Sequence, residues 1–200
     1  MSDAALADPD EILRRRALLG SPAMAPLAPY LAALRQAHGD VPDPDPLDGG
    51  AEAHLLLLLE TPGPRVRGTG MVSRDNPSGT ARNLRGFLRE AGLPRRRTLI
   101  WNAVPFVIHS PGDPNRAPRA GEIARGLAEL PRLLALLPRL SVVVLAGRIA
   151  ARAEPILRGL RPALPILAMP HPSPTIVCTS PAVPSRIRAT LAEAAAFAET

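Results

Sequence analysis

The stretch "HLLLLLE", His54–Glu60, constrains the fold most. Five consecutive leucines leave no polar face, so a strand carrying them is buried on both sides. Leucine suits a helix equally well, but "TPGP" stops the run at once. Three further runs fit the same scheme: "TLIWNAVPF" (Thr98–Phe106), "SVVVLAG" (Ser141–Gly147) and "LPILAMP" (Leu164–Pro170). The third is β-branched and ends on glycine, the clearest strand of the four.

Helical patterns separate these runs. Thr80–Gly92 places Leu84, Phe87, Leu88 and Ala91 at helical spacing. Gly121–Leu137, Ile149–Leu160 and Val183–Ala198 also read as helices. Alternating strand and helix predicts an α/β fold, a three-layer α/β/α sandwich on a central four-stranded parallel sheet. Residues 9–19 and 25–38 read as two further helices, followed by the Pro/Asp/Gly stretch Asp40–Gly50. The expected division is an acidic helical leader with linker over 1–50 and one α/β domain over 51–200.

Charge is unevenly placed. Residues 1–60 hold ten Asp/Glu against four arginines; residues 61–200 hold twenty arginines against eight acids. A basic body suits an anionic partner. All 24 basic side chains are arginine, so a coding bias explains part of that excess. A single cysteine, Cys178, excludes an intrachain disulfide and any four-cysteine zinc or iron–sulfur site. No apolar run approaches the ~20 residues of a membrane span, and "MSDAALADPDE" has no signal-peptide pattern. A cytoplasmic, nucleoid-associated protein is expected.

Ligands of parallel sheets bind at the carboxyl ends of the strands. Here those ends read "ETPGP", "NAVPF", "AGR" and "HPSPT". In this order and spacing, over about residues 54–180, the chain resembles the uracil-DNA glycosylase superfamily. "SRDNPSGTARNL" is similar to a bacterial branch lacking the iron–sulfur cluster. The resemblance implies removal of uracil from DNA by hydrolysis, with no metal or cofactor, acting as a monomer on single- or double-stranded DNA and releasing free uracil.

The residues suit that chemistry. Cleaving an N-glycosidic bond leaves negative charge on the base, and an imidazole N–H of His171 aimed at uracil O2 would stabilise it. Pro170, Pro172 and Pro174 fix the backbone around it. The Asn102 amide offers a donor and an acceptor, matching uracil O4 and N3–H and mismatching cytosine. The carboxylate that positions water is Glu60 or Asp75; for Asp75 a turn or cap before the helix at Thr80 is the competing role. Thr61, Pro62 and Gly63 fall in the base-binding motif, with Leu59 where the family has glycine. The family's stacking aromatic is missing from "RVRGTGMVSRDNPSG", which leaves Met71, Val72 or Phe106 as the wall. Ser173 and Thr175 would donate to phosphate, and Thr175 and Ile176 occupy the place of the family's wedge. Arg65, Arg67, Arg74 and Arg148 flank strand ends and are candidates for phosphate contact or for a solvated surface. Two alternatives stay open: a module that binds damaged or single-stranded DNA with little catalysis, and a glycosylase for another deaminated base.

Overall fold

The leucine run forms a strand in which Leu55 to Leu58 are fully excluded from solvent. The structure is a computed structural model that describes residues 4–113 and 115–198; Pro114 of the long loop and the terminal residues 1–3 and 199–200 lie outside the described residues. In chain order the strands are β1 (Asp43–Pro44), β2 (Leu55–Leu59), β3 (Met71–Val72), β4 (Thr98–Asn102), β5 (Val142–Ala146) and β6 (Ile166–Met169). Four of them make one parallel sheet in the order β4-β2-β5-β6. The all-leucine strand therefore sits inside, hydrogen-bonded on both edges. Register aligns Leu59 with Asn102 and Ala146 with Met169, so the four carboxyl ends lie along one rim. β1 and β3 pair separately as a two-residue parallel ladder.

The helices are α1 (Pro9–Ala17), α2 (Ala28–His38), α3 (Val66–Thr69), α4 (Gly79–Glu90), α5 (Ala120–Leu127), α6 (Leu130–Ala135), α7 (Arg148–Ala151), α8 (Glu154–Leu160), α9 (Pro174–Val177) and α10 (Ala182–Ala198). They flank the sheet, giving the expected α/β architecture. α4 starts where Ser78 Oγ accepts the Ala81 N–H at 3.2 Å, and it buries Leu84, Phe87 and Leu88. α10 packs on β5 and β6 through Ile187, Leu191 and Ala194. Two expected helices are each broken in two. Pro131 starts α6 and Pro155 starts α8, each within the first two positions. Proline lacks the N–H that a continuous helix needs and disfavours helical backbone before it. Among the described residues, no helix is long and apolar enough to cross a membrane.

The stretch Asp40–Gly50 is not a free linker. Asp45 and Asp48 are each 1% exposed. Arg15, from the leader helix α1, is buried with them and pairs with Asp45 and with Asp75 at 2.8 Å. Arg95 reaches the same two carboxylates at 2.7 and 2.6 Å. Buried charge needs such partners to leave water. The leader, the 40–50 segment and the loop before α4 are thereby locked together.

Candidate active site

A cavity of about 300 Å³ opens at the carboxyl rim of the sheet. Glu60, Thr61, Pro62 and Gly63 follow β2, Asn102 ends β4 and His171 follows β6; all line it. Its walls are aliphatic, with Val66, Val72, Leu84 and Ile100 among them.

His171 follows Pro170 and precedes Pro172, with the ring half-buried. Its Nδ1 accepts the backbone N–H of Ser173 at 3.2 Å. A nitrogen that accepts carries no proton, so the neutral ring holds its proton on Nε2. Burial pushes the imidazole pKa below its ordinary value, and nearby Glu60 opposes this. The ring is therefore neutral and is a donor at Nε2.

Glu60 is anchored from across the sheet. Its Oε1 accepts the backbone N–H of Ile149, at the start of α7, at 3.1 Å. Gly147 makes room for it. Its φ of +97° is a conformation that L side chains rarely adopt, and a Cβ there would overlap Glu60 Oε1 and lie 3.1 Å from His171 Cβ. The glycine closing "VVVLAG" thus lets the carboxylate and the imidazole approach together.

Asn102 is 2% exposed, and neither Oδ1 nor Nδ2 has a hydrogen-bond partner. Leaving both unpaired in the interior costs about 1–3 kcal/mol per group. An orphaned amide on the wall of a cavity offers a donor and an acceptor to whatever enters.

The other candidates divide. Arg65 lines the cavity and is exposed. Asp75 does not line it. Burial alone would raise its pKa, but ion pairs to Arg95 and Arg15 outweigh this and hold the carboxyl below its usual range. Arg74 is buried, donating to Thr98 Oγ1 and lying 3.5 Å from Asp48, so it is withdrawn from phosphate. Phe106 stacks on His38 with ring centroids 4.7 Å apart, away from the cavity, and Met71 is buried outside it; of the three expected walls only Val72 lines it. Arg67 pairs with Asp40 at 3.0 Å and donates to the His109 carbonyl at 2.7 Å. Arg148 is exposed at the start of α7. Ser173 and Thr175 share a hydrogen bond of 3.1 Å between their hydroxyls, and Ile176 projects from α9, 40% exposed.

Two asparagines are among the lining residues that were not expected. Asn115, in the long loop after β4, donates to Thr61 Oγ1 at 3.4 Å. Asn76 donates from Nδ2 to the Met71 carbonyl and accepts at Oδ1 from the Thr69 hydroxyl, both at 2.9 Å, and so shapes the wall. The length of the 107–120 loop was the available signal for Asn115; nothing local marked Asn76.

A parallel α/β sheet with a cavity of about 300 Å³ at its carboxyl rim, lined by an imidazole, a carboxylate and an unpaired amide, is the arrangement of a ligand-binding α/β protein. The chain belongs to the uracil DNA glycosylase superfamily, whose family model matches residues 46–195. No curated protein matches it. Membership carries hydrolysis of glycosidic bonds, and DNA as partner, at the level of the superfamily.

Proposed function

We propose that this protein excises uracil from DNA as a monofunctional glycosylase, leaving an abasic site. The observation that carries the reading is Asn102: a buried amide with both polar atoms unpaired, in the same cavity as a neutral Nε2–H histidine. Uracil O4 and N3–H would satisfy the amide, while cytosine presents the inverse pattern and would leave it unpaired. His171 Nε2–H would meet O2 as negative charge develops there, a donor already in place before the reaction. Glu60, held at Oε1 by Ile149, would use its other oxygen to orient the attacking water and offset oxocarbenium charge on the sugar. The base would lie against the aliphatic wall of Val72, Leu84 and Ile100. Arg65, exposed on the cavity wall, would contact phosphate, and Thr175 and Ile176 on exposed α9 would enter the gap left by the extruded base.

The test is a cleavage assay on labelled DNA carrying one uracil, single-stranded and as U:G and U:A duplex, with EDTA, at substrate excess, followed by alkali. Abasic sites accumulating over many turnovers are expected. Tight binding without cleavage would replace the enzyme with a binding module.

A further inference from the structure

The peptide group between Pro172 and Ser173 is held at both ends. Its carbonyl accepts from Asn83 Nδ2 at 3.0 Å, and its N–H donates to His171 Nδ1 at 3.2 Å. Asn83 is half-buried on α4, 89 positions before Pro172 in the chain. The same helix meets the loop again one turn earlier: a Cβ on Gly79 would overlap Pro174 Cγ, so helix and proline touch directly.

A peptide unit is planar, so fixing the direction of its C=O fixes the direction of its N–H. Prolines at 170, 172 and 174 set φ at those positions but leave ψ of Pro172 and φ of Ser173 free. Rotation about those two bonds swings the 172–173 plane and withdraws the N–H from Nδ1. The Asn83 hydrogen bond opposes that swing. A bonded carbonyl also makes its own N–H a better donor.

We propose that Asn83 is a positioning residue: by orienting the Pro172–Ser173 peptide it keeps Nδ1 of His171 unprotonated and Nε2–H pointed at the cavity. The consequence for catalysis rests on His171 being the donor to the departing base; the tautomer itself does not.

Two variants test it. Asn83→Leu removes the donor at similar size, and Asn83→Asp replaces it with an acceptor while keeping a polar group at a half-buried site, should the leucine variant not fold. Long-range ¹⁵N–¹H spectra of the four histidines, with His171 identified by its loss in His171→Gln, read the tautomer directly. The expected result is an unprotonated Nδ1 in the wild type and a population protonated at Nδ1 in the variants. Single-turnover uracil excision should fall about three- to tenfold, the effect of one net hydrogen bond, with affinity for uracil-containing DNA unchanged. Unchanged His171 nitrogen resonances in a folded variant would overturn the proposal. A shifted tautomer in a protein that excises no uracil would leave Asn83 as the positioning residue and overturn the functional reading instead.

Discussion

Glu60 Oε1 accepts the backbone N–H of Ile149 at 3.1 Å, joining the end of β2 to the start of α7. The bond needs a carbonyl-type oxygen and no charge. Glu60→Gln therefore keeps the anchor and removes the carboxylate. If the charge and the water-orienting oxygen matter, single-turnover excision falls by roughly 10²-fold or more, with the melting temperature unchanged. Wild-type rates in Glu60→Gln would dismiss it from the chemistry.

Gly147 tests the same junction by volume. Gly147→Ala places a methyl group into Glu60 Oε1 and against His171 Cβ, on a backbone of φ +97°. Either the carboxylate leaves or the loop shifts. Excision and stability should both drop, stability by about 1 kcal/mol or more from the backbone conformation alone. Urea unfolding and the cleavage assay measure the two. A variant that keeps both would mean the junction has slack that the geometry does not indicate.

His171→Ala removes the donor and should cost about 10²–10³ in single-turnover rate with a modest change in binding. Because burial holds the ring below its ordinary pKa near 6.5, His171 stays neutral from pH 8 to 7. Its titration should therefore bring no rate change in that interval, with any inflection lying at more acid pH. A pH–rate profile with an inflection near 7 that vanishes in His171→Ala would contradict the neutral donor.

Much of this arrangement was legible in the chain. The four apolar runs are the four strands, and Glu60, Asn102 and His171 stand on one rim because strand ends in a parallel sheet share a side. What the chain concealed is long-range. Asp75 looks like a free carboxylate in "SRDNPS" because the two arginines that hydrogen-bond it, Arg15 and Arg95, are 60 and 20 positions away. Asp40–Gly50 has the composition of a linker, and only the buried arginines explain why it packs. Phe106 follows Asn102 closely, yet its ring is taken by His38 from α2. Pairings of this kind have no local periodicity to read.

Asn102→Asp changes the hydrogen-bond pattern presented to the base. An aspartate offers acceptors where uracil needs a donor for O4, and suits the cytosine amino group better. The ratio of uracil to cytosine excision in matched oligonucleotides should fall by about tenfold or more. An unchanged ratio would remove Asn102 from base reading and leave its unpaired amide unexplained.

Arg15→Met tests whether the leader is part of the domain. The substitution leaves Asp45 with Arg95 and the Ser73 hydroxyl, and Asp75 with Arg95 and, at 3.6 Å, Arg85. Breaking a buried network by removing one partner costs about 3–5 kcal/mol. The pH dependence gives the sign. Asp75 has a folded pKa below its unfolded value, so its contribution is complete above about pH 4 and disappears as pH falls through the lower folded value. The stability gap between wild type and Arg15→Met should be full at pH 7 and narrow in acid. Asp48 runs oppositely: burial pushes it up to about 7 against the pull of Arg74 and Arg95, so its cost grows as pH rises from about 4. That dependence belongs to both proteins and largely cancels in the difference. Urea titrations from pH 3 to 8 would read the gap, and one that stays small at every pH would return α1 to the status of an appendage.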